Sequence, residues 1–374
     1  MADGDTLRVD LAGDGTTELT SIRLVGIQAM EQSKYSPKPA NRRGDCHALA
    51  ATARVEQLVK AGGGTVRLTS LRASSKSGDR PLRSAAVKIN GKWQDIGLDL
   101  VRRGHALWLP FAGEWAWDEA YRLAAQQAAS ERRGLYDTDT CGAGPAQNAG
   151  LTMWVNSDPD GVDEQNLNGE WFRIGNPSAS AVSIAGWWVR DSGLRRYTFP
   201  AGTVVPAGGS AYVHVGKGRD TATHKYWGLT APIFTNTDPA AHSYGDGGYL
   251  FDPQGDLRAW MIYPCLVGCD SPLKGEVVNG KVVKAKVALN VQYRGPEKVE
   301  IVNTSSEAVD LYGHVVVSKP YSYPITSTTV LAPGQSLEVP LGSGRVLDDA
   351  GDSVALQTAD QWTVTCVAWG SGRC

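Results

Sequence analysis

An arginine and a glutamate bracket a short apolar strand in the stretch RLVGIQAME, residues 23–31. Arg23 stands before the strand and Glu31 follows its end. A guanidinium holds oxyanions through paired N–H donors, and a carboxylate can orient or deprotonate a water. The layout therefore suits catalysis. Gln28 stands where such a layout calls for a carboxylate. The segment belongs either to a working enzyme or to the shell of one.

Other groupings carry less chemistry. Cys46 and His47 are adjacent in DCHALA, but neighbours on a helix do not face each other, which argues against a thiol nucleophile. The six histidines form no HxH or HExxH pattern of the kind a zinc hydrolase uses. YSPKPANRRGD (35–45) is basic with one aromatic; it reads as a nucleic-acid-binding loop or as a solvated one. GDGGYLFDPQGD (245–256) is dense in Asp and Gly but lacks EF-hand spacing and a terminal Glu. Trp154, Trp171, Trp187, Trp188, Trp227 and Trp260 are expected in a core rather than on a ligand platform, because aromatics at alternating strand positions usually pack inward.

The elements that must position Arg23 and Glu31 come from a chain of 374 residues, room for two or three domains. With 42% hydrophobic and 20% charged residues the composition is that of an ordinary soluble globular protein. No apolar run of about 18 residues exists, so no membrane span is expected. The net charge is −2, slightly basic over residues 1–150 and acidic after them; a basic first part suits a polyanionic substrate, though only weakly. Of the six cysteines, Cys265/Cys269 and Cys366/Cys374 are close in sequence, which leaves Cys46 with Cys141. One bridge per domain is the expected framework, with other pairings and six buried thiols as alternatives. Bridges persist outside the cytosol, so a secreted, extracellular protein is expected. The chain opens MADGDTLRV without a signal peptide, and a longer natural start is therefore expected.

TLRVDL and SIRLVGI alternate as strands around the turn AGDGT. DCHALAATARVEQLV has helical spacing, with Asp45 as N-cap and Gly62–Gly64 as stop. TVRLTSL and SAAVKI read as strands, and DIGLDLVRRG and EWAWDEAYRLAAQQAASERRG as helices ending at glycine. DTDTCGAGPAQNAG (137–150) looks like a domain boundary. Beyond it, strands are short, turns are rich in Gly and Pro, and no helical period survives, which is the mark of β-sandwiches. This half repeats itself: EWFRIGNPSASAVSIAGWWV (170–189) aligns with EKVEIVNTSSEAVDLYGHVV (297–316), and YTFPAGTVVPAGGSAYVHVG (197–216) with YSYPITSTTVLAPGQSLEVPLG (321–342).

DGDT (3–6), RLVGIQAME (23–31), DRPLRSAAV (79–87), LVRRGHA (100–106) and RRGLYD (132–137) occur in the order of the staphylococcal-nuclease-like family, which residues 3–137 resemble. The resemblance implies a five-stranded Greek-key barrel of the OB type with three helices. NGEWFRIGNPSASAVSIAGWWVRD, YTFPAGTVVPAGGS and GDGGYLFDPQGDLRAW resemble lamin-tail domains, which are immunoglobulin-like sandwiches, and the later copy is more diverged. The fold expected is mainly β: an OB-type barrel with helices over 1–140, then immunoglobulin-like β-sandwiches over 150–275 and 285–374.

The nuclease resemblance implies hydrolysis of DNA or RNA phosphodiesters with one calcium ion. In-line attack builds negative charge that arginines and a hard cation offset. Mapped onto this chain, Arg23 and Arg80 would clamp the phosphate, with Arg83 competing for the second place. Glu31 would be general base or water-positioner, Asp5 a calcium ligand, and the Ala29 carbonyl a further one. Gln28 replaces the family's second calcium aspartate, Ala29 and Met30 its threonine and proline, and Asp79 the glycine before the second arginine. An amide oxygen supplies no net charge, which weakens calcium affinity. The expected function is a secreted, calcium-assisted nuclease with two sandwiches that bind or tether it, for instance to a cell-surface or matrix component. The alternative is a catalytically degenerate module that binds nucleic acid or a surface.

Overall fold

The computed structural model describes residues 3–32, 46–142, 144–159, 162–267, 273, 277–278, 281–282, 285–325, 327–342, 344–358, 361 and 363–374. The basic loop 35–45, the Asp45 cap and Cys269 lie outside the described residues, as does the side chain of Cys46.

The N-terminal domain begins with β1 (Thr6–Asp10), β2 (Leu19–Leu24), β3 (Ile27–Ala29) and helix α1 (Cys46–Ala61). Then come β4 (Arg67–Thr69), β5 (Lys76–Ser77), β6 (Arg80–Ile89) and β7 (Lys92–Asp95). Helix α2 (Ile96–Arg102), β8 (Ala106–Trp108) and helix α3 (Asp118–Ser130) complete it. The main sheet runs β1-β2-β6-β4, with β5 and β7 also paired to β6, and β3 pairs with β8. Ile22, Leu24, Ile27, Val55, Val87, Leu100, Leu107 and Trp108 of these elements share one buried core.

Local chemistry sets the boundaries. Helix α1 stops at glycines: Gly62 and Gly64 donate to the carbonyls of Leu58 and Val59 at 2.9 Å each, and Gly63 and Gly64 have positive φ, the usual C-terminal closure. Asp95 caps α2 by accepting the Leu98 N–H at 2.9 Å. The stretch beginning EWAW, expected as one helix with α3, is instead a 3-10 segment Ala112–Trp117 ahead of α3, with a non-helical Glu114. The cause is the Glu114 carboxylate, which turns inward and accepts the N–H groups of Leu71 and Arg72 at 2.6 and 3.0 Å.

The remainder is built of sandwiches, so the chain is mainly β, as its sequence predicts. In the first, strands at 152–156, 171–175, 210–214 and 224–226 face strands at 188–190, 197–198, 246–251 and 257–263. In the second, strands at 287–292, 298–303 and 336–338 face strands at 315–318, 321–324, 351–357 and 363–370. The aligned residues do the same work in both. Asn176 donates to the Ser180 carbonyl and accepts from Ser178; Asn303 donates to the Glu307 carbonyl and accepts from Ser305. Glu170 accepts the N–H groups of Ile233 and Phe234, and Glu297 those of Val346 and Leu347. The second half is thus a structural repeat down to its buried hydrogen bonds.

Glu170 is 0% exposed, and burial pushes its carboxyl up to about 8, against the two backbone donors. A raised carboxyl pKa contributes stability that is fully present below the unfolded value of 4.5 and is lost as pH rises through about 8. Asp118, raised by burial to about 7, has the same sign. His47, lowered by burial to about 4, has the opposite sign but is spent above its ordinary value of 6.5. The melting temperature is expected to fall between pH 6.5 and 8, and Glu170→Gln to flatten that fall in thermal melts across the window.

The N-terminal domain and the first sandwich share their packing. Along strand 246–251, Leu250 points into the sandwich core, while Tyr249 and Phe251 join the N-terminal core with Trp188, Leu257 and Ile262. From α3, the Arg122 guanidinium donates to the Tyr244 carbonyl at 2.7 Å. The Gln126 amide donates to the carbonyls of Ile262 and Pro264 and accepts the Val267 N–H at 3.0 Å. Trp115 stacks on His242 with ring centroids 3.8 Å apart.

Cys366 and Cys374 form a disulfide. Cys141 and Cys265 are also disulfide-bonded; of the expected partners, the side chain of Cys46 and the whole of Cys269 lie outside the described residues. Among the described residues no helix is long and apolar enough to cross a membrane.

Candidate functional site

The residues of the proposed catalytic layout come together. Antiparallel pairing of β1 and β2 sets Thr6 opposite Arg23, which brings Asp5 alongside. The Val25–Gly26 turn then delivers β3, whose Gln28 and Ala29 pair with Leu107 and Ala106 of β8. Gly26 has φ +73°, and a side chain there would meet the Tyr121 ring at 2.8 Å, so this turn needs glycine on both counts. Gly4 lets the DGDT turn lie against α1, where an added Cβ would stand 2.6 Å from that of Ala51.

Asp5, Arg23, Gln28 and Ala29 are all buried, and Asp5 and Gln28 are each only 2% exposed. Arg23 donates to the Leu24 carbonyl at 2.8 Å and to Gln28 Oε1 at 2.8 Å, and lies 3.3 Å from Asp5 Oδ2. With its oxygen taken by Arg23, the Gln28 amide turns its NH2 the other way. That Nε2 lies 3.2 Å from Asp5 Oδ2, 3.0 Å from the Ala29 carbonyl and 3.5 Å from Glu31 Oε1. Asp5 Oδ2 also accepts the Ala29 N–H at 2.9 Å. Three oxygens therefore converge on one point, and an amide NH2 stands there.

This arrangement tests the calcium expectation on its donor set. Asp5, the Ala29 carbonyl and Glu31 are hard oxygen donors of the kind calcium takes. Gln28 does not join them: to offer its oxygen it would have to turn its N–H groups onto the Arg23 guanidinium, donor against donor. The polar NH2 plays part of a cation's role without a full charge: its two N–H groups are shared among the three acceptors, nearest to the Ala29 carbonyl and Asp5 and most distant from Glu31. The residues present do not fit a bound calcium ion.

Glu31 stands at the exposed rim. Burial of the carboxyl against the cluster raises its pKa from the ordinary value, Asp3 adds to the rise, and the charges of Arg23, Arg190 and Arg80 oppose it. The Asp5 carboxyl is pushed up by burial too, with Arg23 opposing. Arg80 is half-buried and donates to Thr6 Oγ1 at 3.1 Å, and Thr6 Oγ1 donates to Asp5 Oδ1 at 3.2 Å. Arg83 holds the carbonyls of Ala73, Ser75 and Leu82, so it is committed to a loop, and Arg80 alone of the two reaches the cluster.

Three participants escaped the sequence reading. Asp3 accepts the Asp5 N–H at 3.2 Å, and Thr6 links Arg80 to Asp5; both lie in DGDT and were open to notice. Arg190 comes from the sandwich, and no motif in the N-terminal segment points to it.

His47, Cys141 and Asp256 form a second polar grouping. Asp256 accepts the Cys141 backbone N–H at 2.9 Å and lies 3.5 Å from His47 Nε2. Cys141 is disulfide-bonded and so offers no thiolate for a metal. The grouping ties α1 to the sandwich. Of the six tryptophans expected in a core, Trp154, Trp171, Trp187 and Trp188 are buried, whereas Trp227 and Trp260 are half-buried and pack against the cores from the side. The 245–256 stretch is a strand and a turn in which Asp252 pairs with Arg258 at 2.6 Å.

The family model for the Lamin Tail Domain matches residues 154–264. That segment is the first sandwich, strand for strand. No curated protein matches the chain.

Proposed function

We propose that the N-terminal domain binds and hydrolyses phosphodiesters of DNA or RNA, that the lamin-tail domain and its repeat hold it near a substrate or surface, and that the protein works outside the cell. The observation that supports this best is the convergence of Asp5, Arg23, Gln28 and Glu31 on one point, with Arg80 joined through Thr6. The nuclease-like motif order calls for that meeting, and it brings the DGDT turn (Asp5) and Arg80 of β6 to the 23–31 segment. In this reading Arg80, with a single side-chain hydrogen bond, turns to the phosphate. Arg23, fully engaged by Asp5, Gln28 and Leu24, is a positioning residue that holds the cluster's shape. Glu31 is the base that takes a proton from the attacking water, and its raised pKa moves it toward neutral-pH base strength. Extracellular placement draws on the Cys366–Cys374 bridge.

Glu31→Gln is expected to lower cleavage of single-stranded DNA and RNA about 100-fold or more, the typical contribution of a positioned base, while changing affinity for uncleaved oligonucleotide by less than threefold. Gel assays read the first and fluorescence anisotropy the second. Cleavage that survives the substitution would remove Glu31 from the mechanism.

A second reading, that the domain binds nucleic acid without cutting it, is favoured by one observation: the Gln28 amide fills the point where the three oxygens meet. Under it, wild type and Glu31→Gln bind equally and neither cleaves.

A further inference from the structure

A cavity of about 800 Å³ opens where the three domains meet, between α3 with the segment that follows it, one face of the lamin-tail sandwich, and the loop around Tyr312 of the second sandwich. Its volume is in the range of small-molecule sites. Its charge is one-sided. Among the described residues the lining includes Arg132, Arg173 and Arg258 and no aspartate or glutamate. Arg258 is already neutralised by Asp252. Arg173 is not.

Arg173 lies on the strand 171–175 and is 3% exposed. Its Nε donates to Ser210 Oγ at 3.0 Å, its Nη1 has no hydrogen-bond partner, and among the described residues it has no ion pair. Its guanidinium lies between two rings, 3.8 Å from the centroid of Tyr312 and 5.0 Å from that of Trp154. The Tyr312 hydroxyl meets Ser210 Oγ at 2.8 Å, which fixes the phenol over the guanidinium. Ring faces attract a cation, but they do not replace a counter-charge. A buried cation without an acid is costly unless something supplies the anion. Burial lowers the Arg173 pKa only to about 10, so the group stays charged at neutral pH. The cavity is also lined by the half-buried Trp260, an indole on which a flat ring can stack.

We propose that this cavity binds a small aromatic anion, a phosphate-bearing ring compound of the nucleoside monophosphate class, with Arg173 as the charge partner and the Trp260 indole as the stacking surface. The proposal stands independently of the proposed nuclease activity, because neither Arg23, Glu31 nor Arg80 lines the cavity.

The test is titration of the full chain with adenosine monophosphate, followed by tryptophan fluorescence and calorimetry at physiological salt. Saturable one-site binding is expected. Adenosine and inorganic phosphate, each lacking half of the recognised chemistry, are expected to bind at least tenfold more weakly. Arg173→Met is expected to weaken the nucleotide at least tenfold, and Arg80→Met to leave its affinity within twofold. If Arg173→Met does not melt cooperatively, Arg173→Lys serves instead: it keeps the charge, loses the flat fork, and is expected to weaken binding at least tenfold too. No saturable binding at millimolar nucleotide would overturn the proposal. So would unchanged affinity in the folded Arg173 variant, or loss of binding in Arg80→Met, which would move the ligand to the N-terminal domain.

Discussion

Gln28→Asp is expected to create a calcium site at the Asp5–Arg23 cluster. The substitution replaces a neutral NH2, placed 3.0–3.5 Å from three oxygens, with a second buried carboxylate facing Asp5. Two carboxylates in one buried site repel each other and resist ionisation, so the variant in EDTA is expected to melt below wild type. Calcium reverses this. It joins the two carboxylates, the Ala29 carbonyl and Glu31 into a hard oxygen set, and a ligand bound only by the folded state stabilises by about 2.7 kcal/mol at a hundredfold excess over its dissociation constant. The corresponding rise in melting temperature is several degrees. Wild type is expected to show no rise. Differential scanning calorimetry of both chains with calcium and with EDTA decides it. A calcium-dependent rise in wild type would mean that the Gln28 amide yields its place to the ion.

Gln126→Ala is expected to separate the N-terminal domain from the lamin-tail sandwich. The Gln126 side chain satisfies the carbonyls of Ile262 and Pro264 and the N–H groups of Leu266 and Val267. Removing it strands several main-chain groups, each worth about 1–3 kcal/mol when buried and unpaired. Water can enter the gap left at the interface, which holds the sum to about 3 kcal/mol. Wild type is expected to unfold its first two domains together, because Trp188, Tyr249, Phe251 and Ile262 of the sandwich are buried in the N-terminal core. The variant is expected to show two calorimetric transitions where wild type shows one. One unchanged transition would mean that the apolar contact alone carries the coupling.

Much of this organisation was legible in the sequence because it is written in local patterns. The glycine stop of α1, the helix α2 ending at glycine, the alternation of β1 and β2 and the 127-residue offset that places Asn303 on Asn176 each follow from short-range chemistry. The candidate site was legible for the same reason: Arg23, Gln28, Ala29 and Glu31 share one segment. What escaped depends on distance in the chain. The inward turn of Glu114 answers the N–H groups of Leu71 and Arg72, more than 40 positions away. The charge of Arg190 on Glu31, the grip of Gln126 on the sandwich and the pairing of Arg173 with Tyr312 all cross domain boundaries, where no period or motif reports a partner. The direction of the Gln28 amide was also hidden. The sequence raised the substitution as a weakened ligand, whereas the Arg23 hydrogen bond turns it into a donor.

With the Gln28 amide among the three oxygens, we propose that the cluster works on phosphodiesters without calcium. The most direct measurement is cleavage of single-stranded DNA and RNA by the purified wild-type chain in EDTA, beside the same reaction in millimolar calcium. Cleavage is expected in both, at rates within a few-fold of each other. Cleavage in calcium alone would contradict the reading of Gln28 as the ion's replacement, and cleavage in neither, from a folded sample, would contradict the enzyme.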